Sequence, residues 1–403
     1  MSKNTIFLSF DGLSDPLGQS QILPYLIGVA SNGYHIHILT CEKPEALKNE
    51  KEKIELAIKD LPIEWKYIIY DERGGFISRF GYIQKLLKLA EALINAKEIK
   101  LIHCRSYLTS LIGLKLRSKY QIPFLFDMRG FWADERMDGG IWKRSNPIHL
   151  LFYYYFKIKE RSFFKNADAI VSLTHAAATD INSRFGESVL KKITVIPCCT
   201  NIEVFDPSKI NNAIAIPGID PSDFLIIYTG SIGTWYYTYD LINCVLAWKK
   251  YIPQIKLLVL TKDQVQMAEI LNEYTPEQRS IIITKSARFN EVPLYLAKAN
   301  AAMFFIKPSY SKIASSPTKM AECWAMNLPI ITNEGIGDND IYFNEHNGGI
   351  LLKEFNSAAF DLACKDFLKL KEKNINYRNI AIDHFNLKSA IVNYTNLYNK
   401  LAS

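Results

Sequence analysis

Short apolar runs separated by longer amphipathic stretches organise this chain from end to end. In the first half the runs lie at residues 5–10, 34–40, 63–70, 101–104, 123–127, 169–173 and 193–196. Stretches such as residues 77–96 and 108–118 lie between them and read as helices. Residues 197–222 interrupt this rhythm with Pro207, Pro217, Gly218 and Pro221 and few apolar anchors. The alternation then restarts, with runs at residues 224–229, 255–260, 280–284, 301–306, 329–332 and 349–352. Strands alternating with helices predict parallel, doubly wound sheets whose ligands bind at the carboxyl ends of the strands. The fold class expected is α/β, two Rossmann-like domains facing across a cleft. A last segment, residues 389–402, carries Ile391, Tyr394, Leu397, Tyr398 and Leu401 at helical spacing.

Composition narrows the class without naming a function. At 403 residues the chain has length for two or three domains with real cores. A hydrophobic share of 48% with 22% charged residues is that of an ordinary globular protein. The formal charge of +7 favours anionic ligands or surfaces, yet its lysines and arginines are dispersed, so no nucleic-acid partner is expected. Seven cysteines at scattered spacings make neither a disulfide framework nor a zinc pattern, and point to a reducing compartment. Met1-Ser2-Lys3-Asn4 leads straight into the first strand, and no apolar run approaches a membrane span. A cytoplasmic location is expected.

The richest stretch for chemistry is residues 315–338, read as loop, helix, turn and buried strand. Ser316 and Pro317 suit an N-cap and a first helical position, and Asn327 suits a left-handed stop. A helix N-terminus of this kind attracts phosphate. Lys319 and Glu322, three residues apart on one face, can hold a diphosphate and a sugar hydroxyl pair; the bland alternative is a solvated surface ion pair. The small-residue loop Tyr228-Thr229-Gly230-Ser231-Ile232-Gly233 follows a strand, so its amides can approach the same diphosphate. In the first half, Gly12 and Gly18 flank the loop after the first strand. Arg105, Asp127 and Arg129 close two adjacent strands and are candidates for a reaction centre or acceptor pocket. The long loop 131–146 combines Asp134, Glu135, Arg136 and Asp138 with Trp132 and Trp142, as a sugar site or as a structural loop held by a buried Asp–Arg pair. His175 reads as a helix-opening residue rather than a catalyst.

The pattern S-P-T-K-x-x-E-x-x-A-x-x-x-P-I-I over residues 316–331 resembles the nucleotide-binding motif of family-four glycosyltransferases. The segment IPCCTNIEVFDP, residues 196–207, resembles their interdomain stretch. The resemblance implies the GT-B fold and transfer with retention of anomeric configuration. It implies that Glu322 holds the nucleotide ribose and that the loop at Ser286 touches the base; with Ser316, Pro317, Thr318, Lys319, Gly230, Ser231 and Arg288, and with Gly18 and Arg105 from their loop and strand-end positions, these are the expected substrate-binding residues. Arg129, Asp127 and Lys319 are the expected catalytic set. It further implies no metal, no cofactor and no enzymic nucleophile, the departing phosphate deprotonating the acceptor hydroxyl. Three family positions differ: Ala314 stands where a first Glu is common, Asn327 for Gly, and Ser231 with Tyr236 or Tyr237 for an Arg–Lys pair. Lys319, Lys312, Arg288 and Lys262 are left to neutralise the donor.

The expected organisation is an acceptor-binding domain at residues 1–200, a linker at 201–222, a nucleotide-sugar domain at 223–385, and a terminal helix at 386–403 packing back on the first domain. The expected partners are a UDP- or GDP-linked sugar and a glycan or lipid-linked glycan, as in bacterial surface polysaccharide synthesis. Residues 148–156, apolar and aromatic, precede Lys157, Lys159, Arg161 and Lys165; they read as a buried helix with a solvated basic end, or as a peripheral contact with the anionic inner membrane. Two competing functions share the fold or the cleft. One is a nucleotide-sugar epimerase, for which no convincing His–Glu cluster stands out. The other is a binding scaffold without turnover, prompted by Ala314 and the missing Arg–Lys pair.

Overall fold

The computed structural model describes residues 3–210 and 214–402. They form two compact units: residues 1–197 with 387–403, and residues 198–386. In the first, strands β1 (Lys3–Ser9), β2 (Tyr34–Glu42), β3 (Ile63–Ile69), β4 (Ile99–Arg105), β5 (Phe124–Asp127), β6 (Ala169–Ser172) and β7 (Ile193–Val195) make one parallel sheet in the order β3-β2-β1-β4-β5-β6-β7. The second holds β8 (Phe224–Thr229), β9 (Ile255–Leu260), β10 (Ile282–Lys285), β11 (Ala301–Met303), β12 (Ile330–Asn333) and β13 (Gly349–Leu352), ordered β10-β9-β8-β11-β12-β13. Every pairing between these strands is parallel. Both sheets reverse their strand order beside a first strand, at β1/β4 and at β8/β11, where doubly wound folds bind ligands.

Local chemistry sets the helix starts. Asn146 accepts hydrogen bonds from the amides of Ile148 and His149 and opens the helix Pro147–Asn166. Thr174 does the same for His175–Phe185 through the amide of Ala177. The terminal helix Leu387–Leu401 belongs to the first unit, packing on Leu23–Ala30. Close approach depends on Gly28, where a Cβ would come within 2.3 Å of Ile391. Tyr34 donates to Asn399 at 2.6 Å and Tyr394 to Asp127 at 3.1 Å, so polar bonds fix the register that apolar packing begins.

Three expectations are corrected. Residues 201–222 are not a free linker: Phe205 and Ile216 are buried in the core of the second unit, and Arg378 donates to the carbonyls of Ile202 and Phe205. Residues 211–213 of that stretch lie outside the described residues. The loop 131–146 contains a helix, Trp132–Asp138, because Trp142 is buried and the Arg136 guanidinium stacks 3.9 Å over the Trp132 ring. Its buried carboxylate, Asp134, pairs with Lys157 at 2.8 Å and not with an arginine.

Gly18 serves the fold rather than an open loop. It lies in the helix Pro16–Gln21, where a Cβ would stand 2.0 Å from the Gly12 carbonyl oxygen and 2.6 Å from Leu13 Cα. The same loop is pinned by a residue the sequence did not single out: buried Glu42 accepts from the amides of Leu13 at 2.8 Å and Ser14 at 3.1 Å. Gly18→Ala is therefore expected to lower stability by about 1–3 kcal/mol through backbone displacement. Denaturant unfolding of the purified variant measures this, and unchanged stability with weakened ligand binding would return Gly18 to a ligand role.

Candidate functional site

In the second unit the candidate residues converge on one ammonium. A parallel crossover from β11 to β12 must start its helix at the carboxyl edge, which places the helix Thr318–Ala325 beside the loop that follows β8. Buried Trp324 anchors that helix by donating to the Gly348 carbonyl at 2.8 Å. Arg378 donates to the Ala325 carbonyl at its far end, a cation where the helix dipole favours one. Asn327 takes φ +61° and ends the helix as expected, its amide reaching Trp324 and that of Leu328 reaching Cys323.

Held this way, Lys319 is only 8% exposed. Its ammonium lies 3.9 Å from the Tyr236 ring centroid, 4.4 Å from Tyr228 and 5.3 Å from Phe304. It makes no hydrogen bond among the described residues. Burial pulls its pKa down to about 7. Gly230 closes the space from above: its φ is +130°, and a Cβ there would stand 2.8 Å from Lys319 Nζ. Only glycine fits both the backbone and the lysine. Glu322, one turn further along, is half-buried, and burial pushes its carboxyl up to about 7. The pair is therefore not the solvated surface ion pair of the bland alternative.

The remaining second-unit candidates divide. Ser316 is not the helix cap, because its hydroxyl accepts from the Cys198 amide at 3.2 Å; Pro317 precedes the first turn in an extended conformation, and Thr318 opens it. No side chain caps that turn, although the Met320 amide donates to the Pro317 carbonyl at 3.0 Å. Ser231 is exposed, and its carbonyl accepts the Tyr228 hydroxyl. Lys312 is buried with its ammonium 3.7 Å over Trp235, while Lys262 is exposed after β9. Ser286 and Arg288 are exposed beyond β10, an edge strand separated from β8 by β9. The aromatic cage around Lys319 was only half legible: Tyr236 stood at a departing family position, but nothing linked it to Tyr228 and Phe304.

In the first unit the candidates gather at the ends of β4 and β5. Arg105 is buried and reaches Asp11 at 2.8 Å. Asp127, expected as a catalytic group, is buried beneath the terminal helix. Its carboxylate meets the Tyr394 hydroxyl at 3.1 Å, His103 Nε2 at 3.5 Å and Arg129 at 3.8 Å. Burial opposes its charge, but Arg129, His103 and Arg105 together hold its pKa below the usual value. A carboxylate held this way is placed to orient Tyr394, His103 and Arg129. Arg129 and Ser106 carry φ of +58° and +69° at the two strand ends. Left-handed backbone at non-glycine residues is unfavourable and gathers at functional sites. Asp127, His103, Arg105, Tyr394 and Tyr398 also border a cavity of about 10 Å³, room for about one water.

Residues 26–204 match the family model described as Glycosyltransferase Family 4. No curated protein sequence matches the chain. Among solved structures it resembles sucrose-phosphate synthase from Thermosynechococcus elongatus, at TM-score 0.72 and 16% identity over 99% of each chain. It also resembles HepE from Anabaena, solved in complex with UDP-glucose, at TM-score 0.67 and 14% identity over 99% of this chain and 100% of that one. WaaG, a glycosyltransferase involved in lipopolysaccharide biosynthesis, aligns at TM-score 0.62 and 16% identity over 98% and 99%. Residues 26–204 thus match the glycosyltransferase family 4 model, and the chain as a whole has the GT-B fold of these solved structures.

Proposed function

We propose that the protein moves a sugar, with retention, from a nucleotide-diphosphate donor to a hydroxyl of a glycan or lipid-linked acceptor. The observation that carries this reading is the Lys319 ammonium, caged by three rings, without a hydrogen-bond partner among the described residues, beneath Gly230. A buried cation without a partner is unfavourable, and an anion that enters the site gains what the protein alone lacks. The diphosphate lies on Lys319 and the uncapped amides of the helix Thr318–Ala325, and Glu322 accepts from the ribose hydroxyls. As the bond from the anomeric carbon to phosphate oxygen breaks, negative charge grows on the diphosphate, where these groups are fixed in advance. The new bond to the acceptor oxygen forms on the same face, and the acceptor proton passes to the departing phosphate. Arg105 and Arg129 serve the acceptor, with Asp127 positioning Arg129. HepE, solved with UDP-glucose, supports UDP as the first nucleotide to try.

Removing one fixed donor of this kind lowers turnover about 10²–10³-fold. Lys319→Met is expected to do so, with a smaller change in donor KM, measured by product release from UDP- and GDP-sugars. Glu322→Gln is expected to weaken nucleotide binding by about 1.5–3 kcal/mol, read by calorimetry. Unchanged affinity in that variant removes the ribose role.

The two perturbed groups also set a pH dependence. Above pH about 7 Lys319 is losing its proton in the free protein, and the bound diphosphate restores it. Binding then takes up a proton, and donor affinity falls by up to about tenfold per pH unit as pH rises. Below pH about 7 Glu322 holds a proton that it must release to accept as a carboxylate, so affinity falls again as pH drops. Titration calorimetry of a nucleotide sugar in buffers of different ionisation enthalpy should show uptake at pH 8 in the wild type and none in Lys319→Met.

A membrane-facing acceptor is favoured by one further observation. Along the helix Pro147–Asn166, Ile148, Leu151, Tyr154 and Ile158 are 56%, 67%, 60% and 65% exposed, whereas a buried helix was the simpler expectation. Lys157, Arg161, Lys165 and Lys192 border a surface groove together with Tyr154 and Ile158. An apolar row edged by cations suits an anionic bilayer surface. No helix of the described residues is long and apolar enough to cross a membrane. Vesicles rich in phosphatidylglycerol should co-sediment the protein, pure phosphatidylcholine vesicles much less, and Leu151→Asp should release it from both.

A further inference from the structure

At the amino ends of the strands in the first unit, two histidines and a carboxylate face one another across β2 and β3. His35 and His37 are two apart on β2 and so share a face, and His37 is the direct cross-strand partner of Glu64. His35 Nε2 lies 3.2 Å from one Glu64 oxygen, and His37 Nδ1 lies 3.2 Å from the other. Despite these distances, neither nitrogen makes a hydrogen bond among the described residues. The two rings are stacked, 4.8 Å apart at 16°, so each nitrogen is held in place.

The tautomer of His37 follows from its other neighbour. The Asn4 amide nitrogen donates to the Glu98 carbonyl at 3.3 Å, which turns its oxygen toward His37 Nε2, also at 3.3 Å. Nε2 is therefore the protonated nitrogen, and Nδ1 presents a lone pair. That lone pair, on a side chain only 1% exposed, points at a carboxylate oxygen. Burial disfavours the doubly protonated ring, and in the neutral ring two acceptors at that separation repel until a proton or a metal cation lies between them. The carboxylate itself is braced from behind by Lys97, which donates to it at 2.6 Å.

We propose that His35, His37 and Glu64 form a binding site for a divalent transition ion of the zinc type. Their three ligand atoms lie within 4.8 Å of one another. Ligand atoms on a tetrahedral zinc stand about 3.3 Å apart, given bonds of about 2.0–2.1 Å, so the two histidine–carboxylate separations already match. Asn4 orients the His37 ligand, as hydrogen-bonded second partners of metal-bound histidines do. One imidazole pair and one carboxylate leave a fourth position for water. The ion would clamp β3, the edge strand of the first sheet, to β2. It takes no part in the transfer reaction.

The full-length chain, prepared without a histidine tag and stripped with EDTA, provides the test. After incubation with zinc chloride and gel filtration, elemental analysis should find one zinc per chain. Cobalt(II) should give the visible absorption of a tetrahedral N/O site. Zinc should raise the melting temperature of the wild type and of the Lys319→Met protein alike. His35→Ala, at a partly exposed position, and Glu64→Gln should each weaken zinc binding at least tenfold, and Asn4→Ala about tenfold. Absence of stoichiometric zinc in the wild type overturns the proposal. So does zinc binding that survives unchanged in both His35→Ala and Glu64→Gln, since the ion would then sit elsewhere.

Discussion

Each crossover in a parallel sheet must carry the chain from the carboxyl end of one strand back to the amino end of the next, and both units obey this constraint throughout. The consequence is a separation of duties along each strand. Loops and helix starts gather at the carboxyl edge, where Gly230, Ser231 and Lys319 meet in one unit and Arg105 and Arg129 end strands in the other. The amino edge is left with helix ends and strand starts. His35, His37 and Glu64 lie near that edge, so a metal there can stiffen the sheet without entering the reaction.

The second unit spends much of its packing on one lysine. Trp324 fixes the helix, Asn327 ends it, and Arg378 donates to the Ala325 carbonyl, so the helix that carries Lys319 is anchored along its length. Aromatic faces ease the burial of its charge without satisfying its hydrogen bonds. A guanidinium and a second ammonium in the loop after β8 would repel it. Ser231 and Tyr236 stand in that loop, and Tyr236 turns its ring to the lysine. The uncharged loop after β8 and the burial of Lys319 are thus one arrangement, in which the only ammonium among these groups comes from the helix.

Much of this fold was legible because parallel strands covered on both faces read as apolar runs, and every expected run appears as a strand within a few residues. Asn327 was legible because few residues accept a left-handed helix end. What escaped the sequence depended on partners distant along the chain. Ser316 looked like a cap, yet the Cys198 amide, more than a hundred residues away, takes its hydroxyl. Gly18 looked like a loop glycine, yet the backbone of Gly12 and Leu13 needs its missing Cβ. The helix Trp132–Asp138 was hidden because its apolar support comes from Phe76, Phe152 and Phe156 on other helices. Periodicity reports which face is buried, and is silent about what it is buried against.

Asp127 shows how a strand-end carboxylate can organise the groups around it. Its position at the end of β5 suggested chemistry, but the terminal helix covers it and Tyr394 takes one oxygen. Tyr398 meanwhile lies 2.8 Å from His103 Nδ1, so the two tyrosines one turn apart hold the histidine and the carboxylate together. The helix that completes the first unit therefore also sets the groups behind Arg105 and Arg129. With Asp127 ionised by those arginines, the left-handed Arg129 is held against a fixed charge, and its strained backbone is offset by that attraction. Loss of the terminal helix would release the carboxylate first and Arg129 with it, which ties the last fifteen helical residues of the chain to the geometry at the ends of β4 and β5.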